Sequence, residues 1–407
     1  LSKSTLLTLH LHTFNHTSGN NMMKATIKNS AIAVSLCLSA GVASAATVGD
    51  TQVKFTGYVK ADAMISNYSE GSLASGSIGR DFYIPSLTPV SGGDEGTQLD
   101  AHIKQSRFRF TTNTPVDDEN SITGVLELDF IVTSGGDERI SNSYVPRIRH
   151  AFIKYQNWLI GQTWTTFMDV GSLPESLDFI GTTDGITFGR QVMVRYTSGG
   201  LQIALENPET TVTPNGGGSR IVADDNAVPD LIAAYTVKQD WGYVKLAGLV
   251  RQLSYDDGAD IDADETSMGV AVSGKYMLNN GDDIRFMFNT GSGLGRYSAL
   301  NASNGAVITP DGDLEAIDST GYAIAYRHVW NEKTRSSIMF SAYEADNDIE
   351  LTGDSVTDST YSTRVNLLYS PTKVLTFGAE YAYAHREVES GLEGDMNRIQ
   401  VSAKYAF

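Results

Sequence analysis

From Phe55 to the C-terminus the chain repeats one pattern: segments of about ten residues in which apolar side chains alternate with polar or small ones. A period of two is that of a strand whose two faces meet different surroundings. In 375–386, Leu375, Phe377, Ala379, Tyr381 and Tyr383 share one face, and Thr376, Gly378, Glu380, Ala382, Ala384 and Arg386 the other. Near the end, Ile399, Val401, Ala403, Tyr405 and Phe407 oppose Arg398, Gln400, Ser402, Lys404 and Ala406. About sixteen such segments can be counted, which predicts as many strands.

The connections constrain the fold further. Short ones at 114–120, 156–157, 198–200, 239–240, 279–282, 331–333 and 370–372 have hairpin-turn composition. Long ones, rich in Gly, Ser, Asn and Asp, fall at 67–101, 131–146, 163–189, 207–229, 254–266, 291–318, 346–360 and 387–397. Short and long alternate without a slip. A soluble sandwich has no reason to sort its connections this way, whereas a membrane barrel puts turns in the periplasm and loops outside. Closure leaves no edge and satisfies every backbone group in lipid. The expected fold is all-β, a 16-stranded antiparallel transmembrane β-barrel with short periplasmic turns and long extracellular loops.

The N-terminus reads as an export signal. Met22, Met23, Lys24 and Lys28 precede an apolar run, Ala31 to Val42, that ends in Ala43-Ser44-Ala45. That run is below the ~20 residues a spanning helix needs. We read 1–22 as an extension from a mis-assigned start, 23–45 as a cleaved signal and 46–407 as the barrel domain. Cys37, the only cysteine, falls within the signal, so the mature chain has no disulfide and must hold by hydrogen-bonded closure.

Four segments carry a family resemblance: Phe55-Thr56-Gly57-Tyr58-Val59-Lys60, Gln105-Ser106-Arg107-Phe108-Arg109-Phe110, Arg149-His150-Ala151-Phe152 and Gly161-Gln162-Thr163-Trp164. They resemble the trimeric DcaP-like dicarboxylate porins, over most of the mature chain. The resemblance implies a homotrimer in the outer membrane of a Gram-negative bacterium, passing small anionic solutes. Members often carry an N-terminal coiled coil; here only 46–53 separate the cleavage site from the first strand. The terminal Phe407 resembles the assembly signal of outer-membrane barrels.

Acids outnumber bases 48 to 30, but the two are sorted by place. Acids gather in loops and turns, as at Asp117-Asp118-Glu119 and Asp256 to Glu265. The faces opposite the apolar ones carry bases, among them Arg107, Arg109, Arg147, Arg149, Arg195, Arg285, Arg327 and Arg364. A charge on the lipid face costs about 2–4 kcal/mol at mid-membrane, so these must face the lumen, where rings of bases favour anions. The alternative is that the arginines pair with Glu127 and Asp129 to brace the wall. Lys104 and Lys154 fall on outward faces near strand ends, where they can snorkel to headgroups. The segment 163–189 is the expected constriction loop, with Asp169, Glu175, Asp178 and Asp184 set against wall arginines. Aromatics near strand ends, such as Trp158, Trp164, Tyr243 and Trp330, suggest interfacial girdles.

Catalytic and metal patterns are weak. The four mature histidines, His102, His150, His328 and His385, are isolated, and the nearest serines to one of them are Ser336 and Ser337, beside His328. Asp260-x-Asp262-x-Asp264 lacks the rest of a calcium loop; bridging to lipopolysaccharide through divalent cations suits it better. No cofactor or nucleic acid is expected. Three functions stay open: a water-filled, anion-preferring channel, a structural or adhesive barrel with a plugged lumen, and a barrel phospholipase.

Overall fold

The computed structural model describes residues 45–132 and 141–407. The expected extension, Cys37 and all but the last residue of the expected signal lie outside the described residues. Sixteen strands form the wall. They are β1 (Thr51–Tyr68), β2 in two pieces (Gly96–His102 and Arg107–Pro115), β3 (Ser121–Asp129), β4 (Arg147–Tyr155), β5 (Trp158–Trp164), β6 (Arg190–Ser198), β7 (Leu201–Glu206) and β8 (Asp230–Gln239). The second half comprises β9 (Gly242–Asp256), β10 (Asp262–Met277), β11 (Asp283–Ser292), β12 (Asp318–Asn331), β13 (Thr334–Asp346), β14 (Thr357–Thr372), β15 (Leu375–Val388) and β16 (Glu393–Ala406). Each pairs antiparallel with its neighbours, and β16 closes on β1, from Tyr58 opposite Ala406 to Tyr68 opposite Met396.

The seam shows why these residues stand here. Gly57 and Phe407 exchange two backbone hydrogen bonds of 3.0 Å, and the Phe407 ring packs 5.3 Å from Phe55. Asp62 faces His102 while Tyr58 faces Arg107, so four steps along β1 meet five along β2, a bulge. There a Cβ on Gly57 would lie 2.1 Å from the Arg107 carbonyl oxygen, so only glycine admits the approach.

Outward faces are apolar and exposed around the wall, as at Ile65, Ile153, Leu246, Ile324, Ile338 and Ile399. In water such a surface would aggregate; in lipid it is required. Trp158, Trp241, Tyr276, Trp330 and Tyr405 are exposed toward the turn side, as a girdle demands. Two expected girdle members turn elsewhere. Trp164 stacks on Arg190 at 4.4 Å, and the Tyr243 hydroxyl reaches Asp169 at 3.2 Å.

Three further expectations are corrected. The connections expected to be long at 254–266 and 387–397 reduce to 257–261 and 389–392, because the strands continue beyond the lipid band with polar residues such as Asp262, Asp264, Asp395 and Asn397 on the outer face. Polar composition marks where lipid ends, not where the hydrogen-bond ladder ends. Lys154 lies on the lumen side: Glu127 faces His150 but Leu128 faces Ile148, so Arg149 is an extra residue that reverses the alternation below it. Lys104 sits in the break within β2 and donates to both Asp81 oxygens at 2.9 and 3.0 Å instead of reaching for headgroups.

Loops fill much of the barrel interior. Phe82 of the first loop and Ile180 and Ile186 of the third pack with Met287 and Ala323 of the wall. The fourth and sixth loops share a four-stranded sheet of Thr210–Thr213, Ile221–Ala223, Ala306–Ile308 and Leu314–Ala316. Its Val212, Ile308 and Leu314 bury against Leu253 of β9.

Candidate functional site

The third loop, 165–189, leaves β5 and crosses the lumen to the far wall. Buried main chain must find hydrogen-bond partners, and here the wall supplies them. Lys245 of β9 donates to the carbonyls of Thr166 (2.9 Å) and Met168 (2.7 Å), and Arg285 of β11 to that of Leu173. Lys60 of β1 and Gln400 of β16 both donate to Leu177, at 2.5 and 3.0 Å. Glu380 of β15 accepts from the Ser176 hydroxyl (2.8 Å) and the Leu177 amide (3.0 Å). On its return, a Cβ on Gly185 would lie 1.9 Å from the Tyr322 carbonyl oxygen, so the loop backbone presses directly on β12.

The same device serves the other inward loops. Arg398 donates to Gly79 (2.8 Å), Arg386 to Thr88 (3.1 Å) and Arg251 to Glu209 (2.5 Å) and Gly293 (3.2 Å), each at a carbonyl. Many wall bases are thus hooks for loop backbone.

The four loop acids divide by what holds them. Asp184 is fully buried and accepts from the hydroxyls of Tyr83 (2.7 Å), Ser341 (2.8 Å) and Ser362. Asp178 accepts from the Tyr83 amide (3.0 Å) and lies 4.0 Å from Arg364. Asp169 caps Val170–Ser172 through the Gly171 amide and takes the Ser273 hydroxyl at 2.9 Å. These three fasten the loop. Glu175, 33 % exposed, is held by arginines instead, with Arg335 forked onto it at 2.7 and 2.8 Å and Arg327 at 3.6 Å.

On the near wall the expected arginines converge. Arg109 of β2 reaches Glu127 at 3.4 Å and Arg107 stands 3.5 Å from it. Arg147 of β4 forks onto Asp129 with two bonds of 3.0 Å. Arg149, 2 % exposed, bridges Glu127 and Asp129, each at 2.9 Å. Four guanidiniums therefore share two carboxylates, leaving two positive charges in excess. Trp164 takes Arg149 at 5.4 Å and Arg190 at 4.4 Å over its ring. Arg109 is the most open of the four, with 39 % of its side chain exposed.

Other expected site residues are placed differently. Arg364 is buried between Glu380 (3.5 Å) and the Tyr83 ring (5.1 Å), out of reach of a solute. Arg195 donates to the Trp164 carbonyl (3.4 Å), and Arg285 and Arg327 both contact Asp283 at 2.7 Å. His328 is held by Asp282 at 2.8 Å, and the Ser336 hydroxyl accepts from Trp330 at 2.9 Å. Sequence reasoning missed Arg335, although it shares lumen-facing parity with Ser337, Met339 and Ser341. It also missed Tyr83, which lies in a loop with no period to betray it.

The sequence profile of the DcaP outer membrane protein family matches residues 15–407. The chain belongs to this family. Membership places it in the outer membrane, and the barrel is that of the porins. The crystal structure of the outer membrane channel DcaP of Acinetobacter baumannii is similar at TM-score 0.75 and 24% identity, over 90% of this chain and 100% of that one. OmpT of Vibrio cholerae aligns at TM-score 0.55 and 15% identity, over 89% and 100%. The anion-selective porin from Comamonas acidovorans aligns at TM-score 0.55 and 10% identity, over 88% and 100%. A comparison with curated protein sequences returns no match. At these identities the neighbours establish the fold that this family member shares.

Proposed function

We propose that the protein is a passive outer-membrane channel that prefers small anions, dicarboxylates among them, and has no catalytic role. The observation that carries this reading is the near-wall cluster, where four arginines meet two carboxylates and Arg107 and Arg109 stay reachable from the lumen. A guanidinium keeps its charge at any working pH, and its planar fork matches a carboxylate. Conduction requires weak binding at several points in series, which partly neutralised arginines provide. The chain is proposed to mature by cleavage after Ala45, to use Phe407 in assembly, and to work as a homotrimer amid lipid and lipopolysaccharide. A trimer form is described for the Vibrio cholerae neighbour. The test is a bilayer recording across a potassium chloride gradient. A reversal potential of the sign for cation preference would sink the reading.

One observation favours a second reading, a barrel with a plugged lumen: the first, third, fourth and sixth loops all pack inward. Absence of unitary conductance from folded protein would select it.

A further inference from the structure

The far wall holds a second group of arginines whose occupant belongs to the protein itself. Arg335 grips Glu175 with both arms of its fork at 2.7 and 2.8 Å, as it would grip a free carboxylate. Arg327 stands 3.6 Å from the same oxygen. Unlike Asp178 and Asp184, this pair is open to the lumen, with Glu175 33 % and the two arginines 24 % and 23 % exposed. The main chain around Glu175 is pinned independently of its side chain. The Leu173 carbonyl takes Arg285, the Glu175 carbonyl takes Asn366 at 2.7 Å, and Ser176 and Leu177 bind Glu380. The carboxylate can therefore swing off its arginines by side-chain rotation alone, with the loop in place.

We propose that Arg335 and Arg327 form a second carboxylate station, which Glu175 fills as a tethered stand-in for the solute and yields by exchange. The stand-in keeps the forks from holding a permeating anion too long, since a resident competitor lowers apparent affinity. The proposal rests on the anion-channel reading above.

The test uses full-length barrels in planar bilayers, with succinate as the probe and the duration of its transient blocks as readout. E175Q should lengthen succinate dwell about tenfold, the worth of one charge-assisted contact. E175D, one methylene short, should fall between parent and E175Q. In an R335Q background, E175Q should add nothing. Equal dwell in parent and E175Q, or an E175Q gain that survives R335Q, would overturn the station while leaving anion preference standing. A cation-selective parent without succinate blocks would instead remove the anion reading, and the station with it. Heat-modifiable migration of every variant excludes misfolding as the cause.

Discussion

The near wall of β2 to β4 and the far wall from β9 round to β1 are both rich in bases, yet most of the far-wall bases are used differently. On the far wall Lys60, Lys245 and Arg285 end on loop carbonyls, and Arg364 is sealed beneath the third loop. On the near wall the arginines meet side-chain carboxylates, and those carboxylates are too few. A base that hooks a loop carbonyl is held for architecture. A base that is one of four sharing two carboxylates keeps charge for a solute. Counting lumen bases therefore overstates the number available to an anion; what counts is what each one already touches.

The comparison sharpens most within the cluster itself. Arg149 is buried between two carboxylates, so R149Q should lower unfolding free energy by roughly 3–5 kcal/mol, the cost of breaking a buried pair. R109Q, at the exposed rim, should cost about 0–1 kcal/mol. Urea unfolding of refolded barrels reads both, and equal losses would erase the division into brace and guide. On the far wall, G185A pushes a methyl into the Tyr322 carbonyl. We expect about 1–3 kcal/mol of strain and a larger unitary conductance as the loop lifts. Unchanged conductance would mean that the loop does not narrow the path.

Function should split along the same line. R107Q combined with R109Q removes the reachable charge, and anion-over-cation permeability should fall about tenfold, with little loss of stability. Unaltered selectivity with a lowered melting temperature would assign these two residues to bracing. Succinate uptake into proteoliposomes should fall in parallel.

The wall was legible because lipid on one side and water on the other write a period of two into every strand, and the sorted connections added direction. The near-wall cluster was legible for the same reason: Arg107 and Arg109 share parity, as do Arg147 and Arg149. What escaped was whatever depends on a bulge or on a loop's path. The extra residue at Arg149 reversed the face of Lys154, and no alternation rule announces such an insertion. The burial of Arg364 and the fastening role of Asp184 depend on where the third loop lands and on Tyr83 of the first loop, contacts between residues far apart in sequence. Strand ends were misjudged at 254–266 because polar composition records the end of lipid only.

The smallest effect expected is a pH dependence at Glu175, the loop acid held by arginines. Burial works against the charge of Glu175, but the Arg335 fork and the nearby Arg327 and Arg285 outweigh it, holding the carboxyl below its ordinary 4.5. A carboxylate depressed in the folded state stabilises the fold at every pH above its ordinary value, and that contribution fades as pH falls through the lowered folded value. The urea midpoint should thus be insensitive to Glu175 from neutrality down to about pH 5 and become sensitive only below its ordinary range. Subtracting the E175Q profile from the parent profile isolates this slope from other carboxylates, including Asp178 and Asp184. Because Glu175 and its arginines remain partly in water, the slope should be shallow and should flatten further in high salt. A steep, salt-independent difference would place Glu175 with the buried fasteners of the far wall, and the distinction between held and available charge would not extend to the third loop.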